Sequence, residues 1–235
     1  MEKLRIHKYL SQAGFCSRRK AEEYISLGLI KVNGKIAKIG QTIDSNIDKV
    51  EMLDKAIKEQ KELLYFKVNK PRGVVTTCAN IGEKTILDVI NIDQRVFPIG
   101  RLDKDTTGLI LMTNDGRLAN FLMHPRYNHE KQYIVETFEI IMDGALEKMR
   151  NGLIILGSKT KQADIERISP YKFYITISQG KNRQIRRMVQ KVGNEVKNLK
   201  RIRIENIELG NLKEGEYKEL SKTEKDELFK KLNLV

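Results

Sequence analysis

The run Pro98-Ile99-Gly100-Arg101-Leu102-Asp103-Lys104-Asp105-Thr106-Thr107-Gly108 sets one carboxylate, Asp103, between two glycines and two residues after an arginine, just ahead of the apolar stretch Leu109–Met112. Glycines let backbone approach a ligand closely, and the following strand fixes where the loop points. Arg101 is near enough in sequence to keep the acid ionised where a substrate shuts water out. The chemistry this supports is that of one buried carboxylate with a built-in counter-ion, acting as nucleophile or as base. A second constellation is Gln179-Gly180-Lys181-Asn182-Arg183-Gln184-Ile185-Arg186-Arg187-Met188. Ile185, Met188, Val189 and Val192 recur at i, i+3, i+4 and i+7, which predicts a helix with one buried stripe and Gly193 beyond its end. Arg183 and Arg187 lie four apart on the other side, and Arg186 flanks the stripe, where it can reach a neighbouring site. Third is Tyr133, at the start of an apolar strand, whose ring can stack on a nucleobase or simply fill the core.

These residues need a scaffold, and the pattern divides it in two. Ile6, Tyr9, Leu10 and Ala13 form one face of a short helix stopped by Gly14, and Ser17 caps a second helix with Ala21, Tyr24 and Ile25 inside, ending at Gly28. Ile30 and Val32 alternate into Asn33-Gly34, a hairpin signal, with Ile36 on the return strand. Arg5, Lys8, Arg18, Arg19, Lys20, Lys31 and Lys35 collect on the polar surface of this unit, a set suited to phosphates. Residues 49–62 read as a strand end and a linker. Beyond it, strands over 64–68, 109–112, 133–137 and 171–178, and one long late strand through Ile202, Ile204, Ile207 and Leu209, alternate with helices after Gly116 and over 143–150. Ser221-Lys222-Thr223-Glu224 opens a last helix. Clustered strands with few crossover helices predict an α+β chain whose larger part is a mainly antiparallel mixed sheet. The boundaries are 1–62 for the basic unit with its linker and 63–235 for the sheet domain.

Composition narrows the partners. In 235 residues, 44 Lys and Arg against 31 Asp and Glu leave a net charge of +13, which points to a polyanion, nucleic acid first. No apolar run approaches a membrane span, Trp is absent, and the N-terminus lacks a signal region, so a cytoplasmic protein with no membrane partner is expected. Two cysteines and three scattered histidines complete no metal set, so no metal is expected. A metal-dependent nuclease using Asp103 and Asp105 is disfavoured, because carboxylates one residue apart on an extended loop point to opposite sides. A methyltransferase would need a Gly-x-Gly loop that is missing.

Arg5-Ile6-His7-Lys8-Tyr9-Leu10, Ser17-Arg18-Arg19-Lys20-Ala21 and Leu29-Ile30-Lys31-Val32-Asn33-Gly34 resemble the S4 RNA-binding fold of two helices and a hairpin. Together with that unit, Gly100-Arg101-Leu102-Asp103, Lys131-Gln132-Tyr133-Ile134-Val135 and Asn182-Arg183-Gln184-Ile185-Arg186-Arg187-Met188 resemble the RsuA-type pseudouridine synthases, within them the F-type large-subunit branch. The resemblance implies isomerisation of uridine to pseudouridine in ribosomal RNA, 23S rRNA in particular, on a flipped-out nucleotide and without a cofactor. It places the catalytic aspartate on Asp103, the active-site tyrosine on Tyr133 and the aspartate's basic partner on Arg186. Arg101 then displaces or holds the base, with Leu102, Arg183 and Arg187 as further substrate contacts. The RNA-docking set is Arg5, Arg18, Arg19, Lys20, Lys31 and Lys35. A monomer acting on rRNA or a pre-ribosomal particle is expected. The competing readings are a non-catalytic S4-containing ribosome-binding protein, and small-subunit rRNA or tRNA as the substrate.

Overall fold

The structure is a computed structural model that describes residues 3–53, 55–57, 62–79 and 82–234. The chain forms two compact units: 1–64 with the short pieces 92–96 and 114–116, and the remainder.

In the first unit, β1 (Lys3–Arg5) leads into α1 (Ile6–Gln12) and α2 (Arg18–Ser26). Ser17 caps α2 by accepting the Lys20 N–H at 3.2 Å, as its position before the apolar face requires. The hairpin β2 (Ile30–Val32) and β3 (Lys35–Ile36) turns through Asn33 and Gly34, both at positive φ. After β4 (Thr42–Asp44), which pairs with β1, the chain adds β5 (Val50–Met52) and β6 (Lys55–Ala56). That last pair corrects the expected strand end and linker: Met52 pairs with Lys55, and Leu53 turns the chain at φ +50°. The rest of the expected linker falls partly on 54 and 58–61, outside the described residues. Ile6, Leu10, Ala21, Ile25 and Ile30 close a core of their own.

The second unit is built on one twisted sheet. Its strands are β7 (Tyr65–Lys70), β8 (Phe97–Ile99), β9 (Thr107–Thr113) and, past α3 (Gly116–Met123), β10 (Lys131–Thr137). After α4 (Asp143–Arg150) come the hairpin β11 (Ile154–Ile155) and β12 (Ser158–Lys159), then β13 (Asp164–Ser169) and β14 (Lys172–Ile177). The chain ends with α5 (Gln184–Lys191), β15 (Val196–Ile204), β16 (Ile207–Glu208), β17 (Tyr217–Glu219) and α6 (Lys222–Lys231). The order is β13-β14-β10-β15-β9-β7-β17, with β8 added to β9 and β16 to β15. Every pairing in it is antiparallel except β9 with β15, so the expected α+β mixed sheet is the one present.

That parallel join is short, Thr107 with Lys200 and Gly108 with Arg201. Gly108 has φ +100°, and a Cβ there would lie 2.2 Å from the Arg201 carbonyl oxygen. Only glycine allows the two backbones this close. The contact therefore brings the loop before β9 beside the helix before β15. One long late strand is not formed. Instead Glu205 adopts φ +52° and the chain turns back, pairing Ile204 with Ile207. The Glu205 carboxylate stabilises that corner by accepting the Glu130 N–H at 2.7 Å and facing His129 Nδ1 at 3.1 Å.

Candidate active site

The loop carrying Asp103 is a tight turn held on three sides. Thr106 N–H donates to the Asp103 carbonyl at 3.0 Å, closing it. Leu102 is clamped by one side chain, because Thr76 Oγ1 donates to its carbonyl at 2.9 Å and accepts its N–H at 3.2 Å. The Lys104 carbonyl takes the Gly73 N–H at 2.8 Å and the Lys70 ammonium at 3.4 Å. Lys70 is fully buried, and its Nζ also donates to the carbonyls of Val74 at 2.8 Å and Pro71 at 3.0 Å. Burial pulls its pKa down from 10.5 to about 8, against the opposing charges of Asp105 and Asp103. The pattern contained a signal for this. Leu64, Phe66 and Val68 alternate, and continuing by two puts Lys70 on the same face; the sequence reading saw only the turn that follows.

The Asp103 carboxylate is 36% exposed, not buried, and opens onto a cleft of about 570 Å³. Arg101, Leu102, Tyr133, Lys181 and Arg183 line the same cleft. Arg183, the residue before α5, takes φ +49° and places Nη1 3.7 Å from Asp103 Oδ2 and 3.3 Å from Asp105 Oδ1. The two aspartates thus share one guanidinium and do not point apart, because the turn at 103–106 is not an extended segment. Arg186 was expected against Asp103; its direct ion pair is instead with Asp105 Oδ2, at 3.1 Å. It also donates to the carbonyls of Val196 at 3.2 Å and Asp105 at 3.3 Å. Burial raises the Asp105 pKa, but Arg186 and then Arg183 outweigh it and the net shift is downward. Arg101 is exposed at the cleft and makes no ion pair with Asp103 among the described contacts. Arg187 turns away to the Asn182 carbonyl at 3.1 Å and does not line the cleft.

Tyr133 is 8% exposed, belonging both to the core and to the cleft wall. A register shift between Gln132 and Tyr133 re-aims it against β15, where the Arg201 guanidinium sits 6.0 Å from its ring centroid. Arg201 is buried, tied by Nε to the Leu109 carbonyl at 2.7 Å. Beside them Lys131 is held near pKa 8 by burial and by the Arg201 charge. Sequence reasoning missed Lys70, Thr76 and Arg201, whose roles arise from contacts between segments far apart in the chain. The cleft is therefore walled by cations with one partly exposed carboxylate at its edge, an arrangement suited to an anionic substrate and to nucleophilic or general-base chemistry.

The basic set of the first unit is at its surface. Arg18, Arg19, Lys20 and Lys35 are exposed and Lys31 half-buried. Arg18 Nη2 lies 2.9 Å from His7 Nε2, Lys20 pairs with Glu23 at 2.6 Å, and Arg5 bonds the Gly40 carbonyl. Among the described residues no helix is long and apolar enough to cross a membrane.

A basic two-unit chain with this sheet and a carboxylate at a cationic cleft belongs to a defined class: residues 64–191 match the model of the RNA pseudouridylate synthase family, and residues 4–46 match the S4 domain. The chain belongs to the RNA pseudouridylate synthase family, and is an RNA pseudouridine synthase with an N-terminal S4 domain. It is 42% identical to the dual-specificity RNA pseudouridine synthase RluF of Escherichia coli (strain K12), over 97% of this chain and 79% of that protein. It is 40% identical to the ribosomal large subunit pseudouridine synthase B of Bacillus subtilis (strain 168), over 92% of each. A crystal structure of a pseudouridylate synthase matches with a TM-score of 0.71 and 32% identity, over 96% of this chain and 99% of that one.

Proposed function

We propose that the protein isomerises uridine to pseudouridine in large-subunit ribosomal RNA, with Asp103 as the catalytic carboxylate. The observation that carries this reading is the Asp103 carboxylate at a cleft it shares with Tyr133, with the Arg183 guanidinium 3.7 Å away. The reaction breaks the N1–C1′ bond, turns the base and joins C5 to C1′; the C5 proton leaves and N1 gains one. No electrons enter or leave. One ionised carboxylate serves either route into this exchange, attack on the nucleotide or removal of a ribose proton. The uridine must first leave its stack, at about a few kcal/mol, which stacking on Tyr133 at about 1–3 kcal/mol offsets. On this reading Arg183 is the cation facing Asp103, Arg186 acts through Asp105, and Arg101 and Leu102 contact the flipped nucleotide. Residues 1–62 dock the RNA through Arg5, Arg18, Arg19, Lys20, Lys31 and Lys35, and 63–235 carry the chemistry. The name of the Bacillus subtilis relative supports the large subunit as the substrate class. The enzyme then works in the cytoplasm, as a monomer.

Mapping pseudouridine in ribosomal RNA from cells with and without this gene tests the substrate, and a large-subunit site is expected to disappear. Asp103→Asn tests the residue: charge is lost with almost no volume, so RNA affinity holds and product formation falls below detection. Turnover by that variant refutes the carboxylate mechanism.

A further inference from the structure

Among the described residues, two hairpins turn through two residues that both have positive φ. In the first they are Asn33 (φ +50°) and Gly34 (φ +77°), the residues that such a turn favours. In the second, between β11 and β12, they are Leu156 (φ +49°) and Gly157 (φ +74°). A leucine in the left-handed region is strained, since its Cβ crowds its own backbone. Packing does not compensate: Leu156 is 57% exposed and Ile154, two residues before it, is 65% exposed, while Ile155 between them anchors the hairpin in the core. Leu53 shares the conformation and is 70% exposed, but it lines an apolar groove with Phe15, Met52 and Ile57, whereas the Leu156 hairpin is bonded to a residue of the Asp103 cleft. Strain retained without a structural return marks a residue kept for what it meets.

The surroundings say what that is. Lys181, which lines the Asp103 cleft, donates from Nζ to Ser158 Oγ at 2.6 Å and to the carbonyls of Ser158 and Lys159 at 3.1 and 3.2 Å. These bonds tie the hairpin to a residue that lines the cleft, and Leu156 stands two residues before the first of them. Between Glu147 and Asp164 the chain has Lys148, Arg150, Lys159 and Lys161 and no acidic residue. Lys159 and Lys161 are exposed. An apolar tip flanked by cations matches a stacked polyanion: phosphates meet the lysines, and an apolar side chain enters between bases.

We infer that the Ile154–Lys159 hairpin is an apolar wedge whose Leu156 enters the base stack of a structured RNA beside the target uridine. It holds the stack open while the uridine occupies the Asp103 cleft. This rests on the proposed function.

The test is Leu156→Asn, which installs the turn residue used at Asn33, with Leu156→Met as the variant that keeps an apolar tip. Single-turnover rates are measured at saturating protein on a uridine inside a paired RNA stem and on the same uridine in an unstructured oligonucleotide. Leu156→Asn should melt no lower than the parent, lose about tenfold or more in rate on the stem, the scale of burying a leucine side chain, and change less than about twofold on the unstructured RNA. Leu156→Met should recover most of the stem rate. Equal losses on both RNAs, no loss on the stem, or a lower melting temperature overturn the wedge while leaving the enzyme reading intact. Both RNAs carry the uridine identified by the mapping above, so a parent inert on both overturns the proposed substrate and the wedge with it.

Discussion

Lys70 gives the most quantitative check on the site's construction. Its ammonium is wholly buried and bonded to backbone carbonyls on both the 71–74 turn and the Asp103 loop. Its pKa falls from 10.5 to about 8, chiefly through burial. Each pKa unit corresponds to about 1.4 kcal/mol, so at neutral pH the folded protein carries a charge-burial cost of about 3 kcal/mol. Between pH 8 and 10.5 the unfolded chain keeps this proton and the folded one releases it. Stability from this group therefore rises with pH across that window, is complete above 10.5 and is lost below 8. Lys70→Met removes both the cost and the dependence. It also takes this donor from the Pro71 and Val74 carbonyls, at about 1–3 kcal/mol each, so at pH 7 the variant should lie between about 1 kcal/mol more stable and about 3 kcal/mol less stable than the parent. Urea unfolding of both proteins from pH 7 to 10.5 cancels every other titrating group in the difference. The parent should gain about 3 kcal/mol on the variant over that range. Parallel curves would refute the buried, depressed lysine. Turnover of Lys70→Met should fall at least about tenfold, because small displacements of a reacting group are costly and this side chain ties the Asp103 loop in place.

Further expectations concern the cleft and the docking surface. Arg183 and Asp103 are both more than a third exposed, so Arg183→Met should cost no more than about 1 kcal/mol in stability. Once RNA excludes water, a pair at this distance approaches about 4 kcal/mol, and single-turnover rates should drop about 10²–10³-fold. Arg186→Met and Asp105→Asn should behave like each other and lose less, since Arg186 reaches the site through Asp105; a larger loss for Arg186→Met than for Arg183→Met contradicts that order. Tyr133→Phe should bind RNA like the parent, whereas Tyr133→Leu should lose about 1–3 kcal/mol of affinity; full rates in both would leave Tyr133 a core residue only. Neutralising Arg18, Arg19 and Lys20 together should flatten the salt dependence of RNA binding by about 0.7–0.9 in log–log slope per lost phosphate contact. An unchanged slope excludes that surface.

What the sequence determined by itself was local. The Ser17 cap, the Asn33-Gly34 turn, the helix over 143–150, the stripe of α5 and the Ser221–Glu224 capping box all depend on residues within a few positions of one another, and each occurs where the pattern put it. The motif around Asp103 was legible for the same reason, since glycines, arginine and carboxylate stand in one short run. Its electrostatics were not. Chain proximity suggested Arg101 as the counter-ion, and the family resemblance implied Arg186, but neither includes distance across the sheet. The pairing of Gly108 with Arg201, possible only without a Cβ, sets β9 against β15 and delivers Arg183 to Asp103 and Arg186 to Asp105. Likewise Lys70 and Thr76 become supports of the loop only where segments about 30 residues apart in the chain converge. Which charge faces which is a property of that convergence, and tertiary structure alone decided it.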